Sequence, residues 1–281
     1  MNRRILTTGI GAAAVAFVFA ACSSDTTAPN STSTQVAQAS RSDAGQSAVQ
    51  TLNELGANEA AATAAPNIVG TPAGGNPSAT VSIVCTGPET GPGGGNGWYN
   101  CSAALENGLT VQRSIRFWEG TSLGLAWSPT LTDSVNHYWT VNGSFNPPAD
   151  TGKTFTVHDT SAATMTVLRP EGSQPRHSWT GAGNRHESVD WSEQDGARNF
   201  THTGRDTVAA VLFQMPRSSN PYPLSGSIIR NVNETFTGPN VTVSRTRRIV
   251  VTFNGSSTAQ LQDGTVVCDL DLTTGNVSNC H

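Results

Sequence analysis

Histidines and carboxylates that could do chemistry are concentrated in one stretch of the chain, residues 177–206. His177, His186 and His202 lie there together with Asp190, and such side chains are the ligands that zinc ions take. The carboxylates of this stretch also offer a general acid and a general base for hydrolysis. They are Glu187, Asp190, Glu193 and Asp195. The stretch therefore raises two hypotheses, a metal site and a hydrolase.

The spacing within this stretch argues against a local metal site. The segment "HESVD" places Asp190 where the zinc-binding pattern H-E-x-x-H has its second histidine. Its surroundings favour a strand, on which His186 and Asp190 would stand roughly 13 Å apart, too far for one ion. A metal site would have to gather His177, His186 and His202 across neighbouring strands. Solvated strand and loop positions explain the same residues, and we expect no catalytic residue, metal or cofactor.

Tryptophans offer a different chemistry, because an exposed indole face can stack on the apolar face of a sugar ring. Trp98, Trp179 and Trp191 lie beside Gly-rich and polar segments and are the candidates for exposure. Trp139 lies on an alternating apolar face and is expected in the core. Exposed aromatic side chains would form a patch for a partner, which predicts a carbohydrate or protein ligand. Partial burial at strand ends is the alternative.

The charge balance argues against a nucleic-acid role. The chain carries 16 basic and 20 acidic residues, a net charge of −4, and shows no stripe of clustered Lys and Arg. Binding to a phosphate backbone requires such clusters. We therefore expect no nucleic-acid partner.

Period-two alternation dominates the chain from about residue 79 onward. Val135, His137, Trp139 and Val141 share one face of a predicted strand, for instance, and Gly, Asn, Asp and Pro separate such runs. The pattern predicts an all-β domain over residues 79–281. We expect an antiparallel sandwich or a partly closed barrel of about ten to twelve strands.

The region before the predicted sheet is different in composition. Residues 22–46 contain almost no large apolar side chain, so we expect a flexible tether there. Apolar residues between Val49 and Leu55 recur at helical spacing. They predict one short helix within residues 47–78, ended by Pro66 and followed by a linker.

The first residues resemble the signal of a bacterial lipoprotein. Two arginines precede an uncharged apolar run, which ends in Ala-Ala-Cys at Cys22, with Phe19 in place of the usual Leu. The resemblance implies a cleaved signal peptide over residues 1–21 and acyl chains on Cys22 that anchor the protein to a membrane. In the Gram-negative sorting pattern, Ser23 rather than Asp favours the outer membrane. An ordinary cleaved signal is the alternative.

Four further cysteines, an even number in an exported chain, argue for disulfides. Cys268 and Cys280 flank the turn "TTGN" and would face each other across a hairpin. Cys85 and Cys101 flank a loop rich in Gly and Pro, which a disulfide would close. We favour these two local pairs. The alternatives are the other pairings and a four-cysteine zinc site, whose spacing fits poorly.

The C-terminal part of the chain, including "VTFNGSSTAQLQDGTVVCDLDLTTG", is similar to the ending of uncharacterised exported bacterial lipoproteins. The resemblance implies no catalytic residue. We therefore predict a membrane-anchored envelope lipoprotein whose β domain has a non-catalytic binding or structural role. One alternative is an envelope hydrolase or metal-binding protein using residues 177–206, which would bring its histidines and carboxylates together. The other is a calyx-type carrier, which would enclose an apolar cavity.

Overall fold

The computed structural model of the chain describes residues 29–64, 84–86, 97–104, 109–146, 152–193, 196–239 and 241–281. The predicted signal peptide, Cys22, the predicted linker over residues 65–78 and Asp195 lie outside the described residues.

One helix and 13 strands make up the described part of the chain. The helix is α1 (Pro29–Ala64). The strands are β1 (Val84–Thr86), β2 (Tyr99–Ala104), β3 (Thr110–Glu119), β4 (Ser122–Gly124), β5 (Ser134–Phe145), β6 (Lys153–Leu168), β7 (Arg176–Glu193), β8 (Gly196–Gln214), β9 (Ser225–Gly238), β10 (Val241–Thr252), β11 (Thr258–Asp263), β12 (Val266–Asp271) and β13 (Val277–Ser278).

All the strands belong to one antiparallel sheet in which strands adjacent in the chain pair with each other. Only β4 departs from this order, because it pairs with β3 alone and leaves β3 and β5 as neighbours. Among the described residues, the edge strands β1 and β13 do not pair with each other, so the sheet is not closed into a barrel. The predicted all-β antiparallel class with one helix is confirmed.

The two faces of the sheet differ in burial, as the alternating pattern predicts. On β5, Val135, His137, Trp139 and Val141 are each at most 4% exposed. The residues between them point the other way, and Tyr138 is 43% exposed. We call the face that carries Val135 and Trp139 the inner face, and the opposite face the outer face. The inner face forms the core together with α1.

The sheet bends around α1. Asp43 contacts His202 on β8 and Arg230 on β9. Gly45, two residues further along the helix, lies against Leu270 on β12 and Val277 on β13. These two helix positions point about 200° apart, because each residue turns an α-helix by about 100°. Strands therefore pack on opposite sides of the helix.

The helix is longer than the sequence predicts. It begins at Pro29 and includes much of the expected tether over residues 22–46. Ser40 and Asp43 of that segment are 0% and 7% exposed, because their polar side chains bind partners on the sheet. The helix ends at Ala64, shortly before Pro66, which cannot continue it. In the part of the chain that the structure describes, no helix has the length and apolar character needed to cross a membrane.

Disulfide bonds are present in two places, in the C-terminal hairpin and at the N-terminal edge of the sheet. Cys268 and Cys280 are bonded to each other, which confirms the predicted pair. Cys101 is also disulfide-bonded, and Cys85 is its Cα partner in the ladder between β1 and β2.

The close approach of α1 to the C-terminal strands predicts opposite effects for two glycine substitutions in the helix. A Cβ atom at Gly45 would lie 2.7 Å from the carbonyl oxygen of Gly275 and 2.9 Å from methyl groups of Leu270 and Val277. We expect Gly45→Ala to lower the free energy of unfolding by about 1–3 kcal/mol, measured by urea denaturation, because the helix must move off the sheet.

Gly56→Ala is the matched control. Its nearest neighbour is Nη1 of the flexible Arg217 side chain, 3.4 Å away. We expect this variant to be unchanged or more stable by up to about 1 kcal/mol, since alanine favours a helix over glycine. Equal effects of the two substitutions would contradict the packing described here.

Candidate functional site

The candidate metal ligands of residues 177–206 do not lie together. His177 and His202 are buried on the inner face, whereas His186 and Asp190 are exposed on the outer face. Nδ1 of His177 is 2.8 Å from a carboxylate oxygen of Glu59, and His186 contacts Thr203. The gathering of His177, His186 and His202 that the metal-site alternative requires is therefore not seen among the described residues.

A different group, Asp43, Glu187 and His202, places three donor atoms within 4.8 Å of one another. Two guanidinium groups already bind these atoms. Arg185 pairs with Glu187, and Arg230 lies 3.7 Å from Asp43 and donates to Nε2 of His202 at 2.8 Å. A divalent cation would meet two positive charges and an occupied imidazole nitrogen. The residues fit a buried ion network rather than a metal centre.

The hydrogen-bond partners of His202 determine which of its ring nitrogens carries the proton. An arginine only donates hydrogen bonds, so Nε2 of His202 accepts from Arg230. The proton therefore lies on Nδ1, which donates to Asp43 at 2.9 Å. Burial raises the pKa of Asp43, but its contacts with His202 and Arg230 outweigh that effect and hold the pKa below its ordinary value. Asp43 is thus held as a carboxylate, bound on both sides.

A second group of this kind lies near the C-terminal end of α1. Glu59 binds His177 and, through its other oxygen, Nη2 of Arg217 at 2.8 Å. Burial raises the pKa of Glu59, but the hydrogen bond from His177 and the charge of Arg217 more than offset this and lower it. The guanidinium of Arg217 also lies 3.6 Å from the ring centroid of Phe213.

Together these contacts form what we call the interior network, the polar side chains of α1 and their partners on the inner face. Its helix members are Ser40, Asp43, Gln50, Glu54, Asn58 and Glu59, and its sheet members include Arg113, Trp139, His177, Arg185, His202, Arg230 and Glu234. The helix fills the space inside the curved sheet, where a calyx would hold its ligand. The acid and base groups there are bound to one another and support structure.

The predicted acid/base pair is not assembled by the residues that the structure describes. Glu187 faces inward and binds Arg185. Asp190 faces outward, where its carboxylate accepts a hydrogen bond from Asn199 at 2.7 Å. The side chains of Glu193 and Asp195 lie outside the described part.

The outer face carries a groove of about 610 Å³ that crosses β2, β3, β5, β6 and β7. Small side chains, among them Ala162, Thr164 and Thr180, form its floor. Larger side chains, Trp98, Arg116 and Tyr138, rise beside them. Short residues on central strands next to long ones on neighbouring strands therefore produce a concave surface. Two asparagines, Asn100 and Asn136, and Ser114 add polar atoms.

Arg116 is held in this groove between two indole rings. Its guanidinium carbon lies 4.6 Å from the ring centroid of Trp98 and 4.9 Å from that of Trp118. Asn136 fixes the arrangement, because its side-chain oxygen accepts hydrogen bonds from Nη2 of Arg116 at 3.1 Å and from Trp118 at 2.5 Å. Its side-chain nitrogen donates to Thr164 at 3.0 Å. The wall of the groove is thus rigid before any ligand arrives.

The three tryptophans predicted to be exposed have different positions. Trp98 is half-buried and lines the groove. Trp179 is 0% exposed in the core, so the expectation of a surface role is wrong for it; it shares the inner face of β7 with His177 and Arg185 and is paired with the buried Met165 of β6. Trp191 is half-buried on the inner face and lies 6.2 Å from Phe236, ring centroid to ring centroid.

Sequence reasoning missed Arg116, Trp118, Asn136 and Tyr138. A signal is present in the sequence, because the apolar Ile115 and Phe117 alternate with Arg116 and Trp118, which places Arg116 and Trp118 together on the opposite face of a strand. Pairing of β3 with β5 then brings Asn136 opposite Arg116. Only the register between strands, which one sequence does not reveal, completes the site.

Comparison with known proteins gives no further identification. The chain matches no protein-family model, and neither the curated proteins nor the solved structures contain a match. The groove and the interior network are therefore interpreted from their own residues.

The buried carboxyl of Glu54 predicts a change of stability with pH. Burial raises its pKa from the ordinary 4.5 to about 7, although Arg185 and a hydrogen bond from Trp139 act in the opposite direction. Between pH 4.5 and 7 the folded state therefore holds a proton that the unfolded state releases. Stability from this group is greatest at the acidic end of that window and falls as the pH rises.

Glu54→Gln removes this titration. We expect the free energy of unfolding of the variant, relative to the unchanged protein, to increase by about 1–3 kcal/mol from pH 4.5 to pH 8, in urea titrations at both pH values. Glu171→Gln, which replaces an exposed glutamate in the turn after β6, is the control. A relative stability of Glu54→Gln that is independent of pH would show that Glu54 does not titrate in this window.

Proposed function

We propose that this protein is a lipid-anchored binding protein of a bacterial envelope that holds a saccharide on the outer face of its sheet. The groove at Trp98 is the observation that carries the proposal. It combines an aromatic wall with amide and hydroxyl groups, as saccharide recognition requires, since a sugar ring has both apolar faces and many hydroxyl groups.

The groove offers hydrogen-bonding groups as well as a stacking surface. Thr164 accepts from Asn136 and keeps its own hydroxyl hydrogen for a ligand. Thr180 is exposed on the groove floor. The exposed ring of Tyr138 adds an apolar side with a hydroxyl at its end. These groups suit a ligand with alternating apolar and hydroxyl surface.

The N-terminal sequence supports anchoring through Cys22. Pro29, where α1 begins, follows Cys22 by only seven positions. Seven extended residues span at most about 25 Å, so an anchored domain would lie close to the membrane surface. The disulfide between Cys268 and Cys280 agrees with folding in an oxidising compartment outside the cytoplasm.

The alternative functions gain less support from the described residues. A hydrolase needs an acid and a base that are free to exchange protons with a substrate, and those of the interior network are engaged with each other. A carrier of an apolar ligand needs an internal cavity, and α1 occupies the interior.

Replacing Trp98 tests the binding site. The mature acylated protein, held in a zwitterionic detergent without a sugar headgroup, is screened on an oligosaccharide array, and hits are measured by titration calorimetry. We expect Trp98→Ala to weaken binding of the hit at least about tenfold, because tryptophans commonly carry much of the binding energy of a site. Leu125→Ala, which shortens a side chain that is 74% exposed, is the control.

The control should bind as the unchanged protein does. If no saccharide on the array binds in a Trp98-dependent way, the proposed function is refuted.

Replacing Cys22 tests the anchor separately. We expect Cys22→Ser to move the protein from the membrane pellet to the soluble fraction of lysed cells and to abolish incorporation of a clickable fatty acid. Ser23→Ala should leave both properties unchanged. Recovery of native protein with an unmodified thiol at Cys22, shown by mass spectrometry, would contradict the anchoring.

A further inference from the structure

We propose that the groove selects a saccharide that carries a carboxylate, and that Arg116 binds that carboxylate. The inference rests on the proposed function, because it names the class of ligand for the same site.

Among the described residues that line the groove, Arg116 brings the only formal charge. Its contacts within the described residues are to the amide of Asn136 and the rings of Trp98 and Trp118. Two arginines of the interior network differ from Arg116, since Arg185 and Arg230 each bind a carboxylate. The groove therefore contains a cation that the described residues do not neutralise, in a place that a ligand can reach.

The guanidinium of Arg116 keeps donors for a ligand. Nε and Nη2 both point at the oxygen of Asn136, 3.4 Å and 3.1 Å away. An arginine has five N–H groups, and one on Nη2 and both on Nη1 have no partner among the described residues. A carboxylate can accept two parallel hydrogen bonds, one from Nη1 and one from Nη2. The two indoles fix the plane of the guanidinium, so binding costs little side-chain entropy.

The balance of charge favours a carboxylate over a phosphate. One guanidinium matches the single charge of a carboxylate, whereas a phosphate monoester carries about −1.5 to −2 at pH 7 and would leave charge uncompensated. Since Arg116 is half-buried, its attraction to an anion is stronger than in bulk water. The floor and walls provide the hydroxyl and aromatic contacts for the sugar ring that bears the acid.

The test compares ligands that share a sugar ring and differ in the acidic group. The methyl glycosides of galacturonic and glucuronic acid, their methyl esters, and galactose 6-phosphate are titrated calorimetrically into the mature acylated protein. The sugar ring is the same in each acid and its ester. We expect at least one acid to bind at least tenfold more tightly than its ester and than the phosphate, with a difference that shrinks at 1 M salt.

Two arginine variants assign the effect to one residue. Arg116→Gln removes the charge and should abolish the preference for the acid over the ester. Arg248→Gln removes an exposed charge on β10, away from the groove, and should retain the preference. Arg116→Lys keeps the charge without the planar group and should keep part of the preference. Melting temperatures show whether each variant is folded, and the comparison of acid with ester in the unchanged protein needs no variant.

The outcomes separate this inference from the proposed function. If neither acid binds more tightly than its ester, or if the phosphate binds best, the carboxylate assignment is overturned, while a Trp98-dependent saccharide on the array keeps the function. A preference that survives in Arg116→Gln overturns the role of Arg116. The absence of any Trp98-dependent saccharide refutes the function itself.

Discussion

The pairing of buried polar side chains between α1 and the sheet is the constraint on which the rest of the structure depends. Removing a charged group from water costs several kcal/mol unless a partner compensates it. Asp43 and Glu59 each have a histidine and an arginine as partners, and the distances leave little freedom. Rotating the helix by one residue, about 100°, would separate all of these pairs at once. The network therefore sets the register of the helix against the strands.

The two faces of the sheet therefore have different roles. The inner face is covered by the helix, and His177 and His202 on that face bind carboxylates of the helix. The outer face is left open, and there a run of short side chains beside Trp98 and Tyr138 leaves a concave surface. The rigid inner layer supports the groove from behind, since Ile115 and Phe117, which alternate with Arg116 on β3, are 0% exposed in the core.

The sequence predicts the strands well and the helix poorly, for a physical reason. Strand positions such as Val135 and Trp139 alternate because one face is apolar, and the alternation is visible without a structure. The helix has its own period of three and four residues, but in polar side chains: Ser40, Asp43, Ser47, Thr51, Glu54 and Asn58. A stripe of polar side chains predicts a solvent-exposed or disordered segment when only apolar residues are taken as a sign of burial. The partners of this stripe are arginines and histidines that interrupt the apolar inner faces of distant strands. Their role can be recognised only when the fold brings them opposite the helix.

The same limit explains the candidate site. Trp98 was identified from its Gly-rich and polar surroundings. Nothing in the sequence around Arg116 and Asn136 distinguishes these two residues, and they form a site only because β3 pairs with β5. Spacing within one strand is a local property, and the register between strands is a property of the whole sheet. Trp179 is buried because it shares the inner face of β7 with His177 and Arg185, although the Gly-rich and polar residues around it in the sequence do not indicate a buried face.

The path of the chain has a consequence for the order in which the molecule assembles. Each strand pairs with its neighbour in the chain, so the sheet can grow hairpin by hairpin. The helix comes first in the sequence, yet Gln46 donates a hydrogen bond to Thr274, 228 residues later, and Gly45 packs beside Gly275. The helix is therefore synthesised before the C-terminal hairpin that covers part of its surface. Completion of the core thus depends on this hairpin, which the bond between Cys268 and Cys280 fastens.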